Sequence, residues 1–82
     1  MALNGTDLFD AKVRQFNAAS GSTRFRADYL LATNNALDEY NAHLNPSSAV
    51  AHVDSTEDDI EVDDAYQFLI FALQDYYLVA SK

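Results

Sequence analysis

The chain has no cysteine, a single proline, two glycines and few basic residues, and each scarcity excludes something. Without cysteine there are no disulfides and no thiolate metal sites. Gly5 and Gly21 are the only glycines, so a glycine-rich phosphate loop and a Gly-x-Ser-x-Gly nucleophile elbow are both absent. Five Lys and Arg stand against thirteen Asp and Glu, for a net charge of −8. Gripping a nucleic-acid backbone needs clustered Lys and Arg, so that function is disfavoured. Long apolar runs are also missing. The longest is Phe68 to Leu73, far short of the ~20 residues a bilayer span requires. The stretch from Met1 to Asp7 has neither a basic nor an apolar region of the signal-peptide kind, so none is expected.

At 82 residues the chain is expected to form one domain, 1–82. A domain of this size buries only about two-thirds of the surface its unfolded chain exposes, so its core is marginal. Disulfides, metals and oligomerisation are the usual supports. His43 and His52 are too few for a metal cage. Oligomerisation is the support that remains.

What the chain does have is helical periodicity. Phe9, Val13 and Phe16 recur at i, i+4 and i+7, with Thr6 as N-cap and Gly21 as left-handed C-cap, predicting a first helix from about Asp7 to Ala19. Lys12 and Arg14 suit the dipole toward its end. Thr23 can cap a second helix that ends near Leu44, before Asn45 and Pro46. Its apolar stripe is Phe25, Tyr29, Ala36, Tyr40 and Leu44, supported by Leu30, Thr33 and Leu37. Arg24 pairs with Asp28 at i+4. Residues 46–63 read as an extended arm or a short β-hairpin. Asp63 or Asp64 then caps a last helix that is apolar nearly all round. The fold class is therefore mainly α, a small bundle of three helices, or four if the connection holds a short turn.

The last helix carries the most information. Between Ala65 and Ala80 only Gln67, Gln74 and Asp75 are polar. Tyr66, Ile70, Leu73 and Tyr77 make one stripe, expected to pack on the first two helices. Phe68, Phe71, Leu78 and Val79 lie roughly opposite and are assigned to a subunit interface. A helix in a small monomer needs one apolar face, and this one has two.

Charge is concentrated in the second half. Residues 1–44 balance to −1 and residues 45–82 to −7. Seven carboxylates fall between Asp54 and Asp64, among them Glu57, Asp58, Asp59 and Glu61. A calcium loop fails here, because no register puts Gly at position six and Glu at position twelve. Asp54-Ser55 is not the carrier-protein motif either, since charged residues follow where an apolar helix should open. A solvated acidic loop whose last members cap a helix is the better reading. Five of these residues, Asp54, Glu57, Asp58, Asp59 and Glu61, are assigned to a strip facing a partner or a channel lumen. The tyrosines at helical spacing read as core or interface. Neither a catalytic set nor a cofactor is expected.

Three stretches together resemble a known family. They are Leu8-Phe9-Asp-Ala-Lys-Val-Arg-Gln-Phe16, then Phe25-Arg-Ala-Asp-Tyr-Leu-Leu-Ala-Thr-Asn34-Asn35-Ala-Leu37. The third is Asp58-Asp59-Ile60-Glu-Val-Asp63-Asp-Ala-Tyr66, leading into the apolar helix that ends Tyr76-Tyr77-Leu78. The order resembles head–tail connector (adaptor, or head-completion) proteins of tailed bacteriophages. The resemblance implies a helical virion protein, typically twelve copies in a ring beneath the portal protein. Such a ring gives the next tail component a platform, and its acidic surface lets DNA pass without sticking. It involves no membrane. Ending at Lys82, the chain is short for such adaptors, so the resemblance assigns no mode of portal attachment. The competing expectation is a small acidic DNA mimic or regulatory protein that binds a basic DNA-binding partner.

Overall fold

A computed structural model describes residues 3–19, 21–44 and 49–80. The protein is mainly helical, with α1 over Gly5–Gln15, α2 over Thr23–Leu44 and α3 over Gln67–Ala80. A single 3₁₀ turn, Asp64–Tyr66, leads into α3.

Local chemistry moves several helix boundaries from the expected place, while α2 ends at Leu44 as expected. Asn4, not Thr6, caps α1, its side chain accepting from the Asp7 N–H at 3.0 Å. The helix stops at Gln15, four residues early, because Asn17 adopts a positive φ of 52°. The Asn17 N–H then donates to the Arg14 carbonyl and the Ala18 N–H to the Val13 carbonyl, a Schellman closure. Asn tolerates this conformation better than most side chains, and Gly21 takes no part. For α2 the cap is Ser22, whose hydroxyl accepts from the Phe25 N–H at 3.1 Å. The Asn45–Pro46 stop and the Leu44 side chain lie outside the described residues. Asp63 makes no side-chain cap hydrogen bond, and Asp64 instead accepts from the Gln67 side chain at 3.2 Å.

The core is built on α2. Its 22 residues span about 33 Å, and Tyr29, Thr33, Ala36, Leu37 and Tyr40 are buried along one side. Packed against it, α3 buries Ile70, Gln74 and Leu78. Helix α1 adds Leu8 and Phe9, with the Phe9 ring edge-on to Tyr29 at 5.1 Å and 5.9 Å from Phe25. The connecting segment supplies Val53, Ile60 and Val62 to the same core.

No β-hairpin forms among the described residues. The connection runs along the helices as an arm, tied by one isolated antiparallel bridge between Leu3 and Ile60. On α2, Asn34 and Asn41 replace the missing partner strand. Each side-chain amide exchanges two hydrogen bonds with the backbone of the arm, Asn34 with Val53 and Asn41 with Val50, all at 2.8–2.9 Å. These four bonds answer the need of a part-buried irregular segment to pair its polar backbone.

Candidate functional site

The buried stripe of α3 is rotated from the expected one by roughly 70° at 100° per residue. Of Tyr66, Ile70, Leu73 and Tyr77, only Ile70 is fully buried. Tyr66 falls in the 3₁₀ turn and is 39% exposed, its ring against Tyr40 at 5.9 Å. The rotation follows from Gln74, which is wholly buried and donates from Nε2 to Thr33 Oγ1 at 2.9 Å. A polar residue with a partner can enter a core, and its polarity alone misplaces it in a sequence stripe.

That rotation redefines the outward face. Leu78, assigned from the sequence to a neighbouring subunit, is 2% exposed and belongs to this chain's own core. Phe71 is half-buried and packs against the core cluster. The Lys12 ammonium lies 5.6 Å from its ring centroid. Phe68 and Val79 do face outward, at 83% and 62% exposure. The sequence stripe missed Leu69 and Tyr76, which share that face, and Leu31 on α2. From Phe68 through Ala72, Tyr76 and Val79 to Ala80 the exposed arc covers about 120° of α3 and carries no charge. Asp75, at its edge, is bound to the buried ammonium of Lys12.

At the far end of the face α2 and α3 enclose an open pocket of ≈ 180 Å³, lined by Asp28, Leu31, Ala32, Asn35, Tyr77 and Ala80. Its one acid, Asp28, sits 3.9 Å from Arg24, the i, i+4 pair anticipated in the sequence. The Tyr77 hydroxyl donates to Glu39, and that bond, with burial and nearby acids, raises its pKa above the usual 10.0. The wall of the pocket is therefore anchored at its polar end.

All five acids of the assigned strip, Asp54, Glu57, Asp58, Asp59 and Glu61, are exposed, and two of them also bind backbone N–H groups of this chain. Asp58 Oδ2 accepts from the N–H groups of Asp54 and Ser55, at 2.9 and 3.1 Å. Asp59 Oδ1 accepts from the Gly5 N–H at 2.9 Å, placing its charge at the N-terminus of α1, where the dipole favours it. Gly5 suits this approach, since a Cβ there would collide with the Asp58 carbonyl oxygen. Among the described residues no group of acidic or histidine side chains is arranged to hold a metal ion.

His52 Nε2 lies 2.6 Å from Asp38 Oδ1, beside the arm, and His43 is exposed near the end of α2. A second pocket of ≈ 200 Å³ is lined by Thr6, Phe9, Asp10, Arg26, Thr56 and Glu57. There Arg26 stacks 4.9 Å over Phe9 and donates to Thr56 at 3.0 Å, which ties α2 to the arm and α1. No family model, curated protein or solved structure matches the chain.

Proposed function

We propose that this protein is a non-catalytic structural subunit that assembles with copies of itself, in the manner of a head–tail connector ring joining a phage portal to its tail. The observation that carries the proposal is the uncharged outward face of α3. On it Phe68, Leu69, Tyr76 and Val79 together expose roughly 400–500 Å² of surface, taking about 150–250 Å² for each large aromatic side chain, and Leu31 of α2 is exposed as well. The largest patch on an ordinary monomer is about 300–600 Å² and is often functional. For a chain of −8 net charge, an uncharged patch of this size lets two copies meet without placing like charges in direct contact.

The acidic DNA-mimic alternative gains little support from the same geometry. Two of its carboxylates, Asp58 and Asp59, are engaged with backbone N–H groups of this chain. They are concentrated on one irregular segment and do not repeat along a helix.

Mass in solution and particle images, alone and with a candidate portal, test the proposal. Rings, or stable complexes with the portal that survive high salt, are expected. A monomer that ignores the portal at every salt concentration would end the connector proposal.

A further inference from the structure

Resting on that self-assembly reading, we infer that the subunits join head to tail, the Phe68 ring of one copy seating in the Leu31–Tyr77–Ala80 pocket of the next.

Four observations converge on this pairing. The first is fit. Phe68 is 83% exposed and stands as a knob, its ring edge-on to Phe71 at 6.4 Å. The pocket is an open hollow of ≈ 180 Å³ with Leu31, Ala32, Tyr77 and Ala80 as its apolar lining, comparable in volume to the roughly 150 Å³ cavity that holds a benzene ring. The second is position. Phe68 opens α3 and the Tyr77–Ala80 lip closes it, nine to twelve residues and about 14–18 Å further along. Around the helix they are separated by about 120–180°. A subunit cannot fill its own pocket from there.

The third observation is symmetry. A two-fold contact pairs one patch with itself, whereas a knob and a pocket on opposite flanks make a heterologous contact. Repetition of that contact closes a ring or extends a filament. The fourth is charge. The knob is neutral, and the single acid of the pocket, Asp28, lies at i, i+4 to Arg24. The site offers a basic partner one acid that is already paired within the chain, and a second copy presents a neutral ring of the right size.

The experiment uses the full chain and two surface variants, with circular dichroism confirming that each folds. Phe68→Ala removes the knob. Leu31→Lys blocks the pocket and also lowers the net negative charge, so a loss of assembly cannot come from added repulsion. Each variant alone is expected to associate about 30-fold more weakly or worse, as for loss of a central aromatic anchor. Each keeps one competent half, however. A mixture of the two should therefore form a one-to-one heterodimer and stop there, visible by native mass spectrometry. A monomeric wild-type chain would overturn the self-assembly reading and this pairing with it. A wild-type assembly that either variant leaves intact, or two monomeric variants that fail to pair when mixed, would overturn the head-to-tail contact alone.

Discussion

Asn34 and Val53 exchange two hydrogen bonds, the Asn34 amide donating to the Val53 carbonyl at 2.9 Å and the Val53 N–H donating back to Asn34 Oδ1 at 2.8 Å. One turned helix residue thereby supplies what a neighbouring strand would supply. Two turns later Asn41 does the same for Val50. The arm is thus fixed to α2 by side chains, and the core residues Val53, Ile60 and Val62 that it carries depend on that attachment.

Replacing Asn34 by Ala should accordingly cost about 1–3 kcal/mol, because both Val53 backbone groups lose their partner in a part-buried place. For a domain of this size each kcal/mol lowers the melting temperature by about 4–8 °C. Thermal unfolding followed by circular dichroism measures it. A variant within about 0.5 kcal/mol of wild type, the range of an ordinary surface change, would mean that the arm is held by its apolar residues alone.

How much of this was legible beforehand follows from what each residue does. The α2 stripe was readable because Tyr29, Ala36, Leu37 and Tyr40 are apolar or aromatic and recur at helical spacing. The Asn34 and Asn41 clamps were not, since a half-buried asparagine on a helix looks the same as a solvated one until its partner segment is placed. Gln74 misled for the same reason, and with it the rotation of α3 that moved Leu78 inward. Lys12 shows in the sequence only as a dipole partner, and the fold leaves it 4% exposed. Its stem is long enough to be covered while the charge meets a carboxylate from another helix. The two-faced character of the last helix was visible from composition, and only its phase required the fold.

Lys12 and Asp75 give an asymmetric pair of variants. Asp75→Ala leaves the Lys12 ammonium buried with Gln15, at 3.3 Å, as its one polar side-chain partner among the described residues. Breaking a buried pair costs about 3–5 kcal/mol, and here less, because Asp75 is 36% exposed. Lys12→Met keeps the covered stem and removes the charge, so it should be the milder change. Urea unfolding of both decides the order. If Lys12→Met proves the more damaging, the ammonium stabilises α1 against α3 beyond the need to satisfy it.

The two glycines should respond in opposite directions to the same substitution. Gly5→Ala drives a Cβ into the backbone of Asp58 and disturbs the Asp59 bond to the helix N-terminus, so it should destabilise by more than about 1 kcal/mol. Gly21 has no positive φ and nothing within 4 Å of a built Cβ. Gly21→Ala should stabilise by about 0.4–1 kcal/mol through the unfolded chain. Equal and small effects at both sites would place α1 further from the arm than described here.

Alkaline pH should weaken the fold through Tyr29. Burial raises its pKa above 10.0, and hydrogen bonds with Thr33 and Gln74 offset part of that rise. Between the unfolded value near 10 and the higher folded value, the unfolded chain has released a proton that the folded chain keeps. Stability is therefore complete below about pH 10 and falls as pH climbs toward the folded value. Tyr29→Phe should flatten that fall in denaturant titrations between about pH 9 and 11. An unchanged slope would assign the alkaline loss to Tyr40 and Tyr77, whose pKa values are also raised.

Salt separates the two functional classes by the sign of its effect. Each copy carries −8, so bringing copies together on the α3 face works against long-range repulsion. Raising salt from about 0.1 M to 1 M shortens the screening length from about 10 Å to 3 Å and removes most of that opposition. The apolar contact of Phe68 with the Leu31 pocket is not weakened by screening. Self-association measured by light scattering or sedimentation should therefore strengthen across this range. An acidic protein built to occupy a basic DNA-binding surface would behave in the opposite way, since its attraction is itself the screened quantity. Self-association that fell with added salt would mean that charged groups hold the subunits together, and Arg14 and Arg24 meeting the exposed Asp54, Glu57 and Glu61 of a neighbour would then be the contact to mutate.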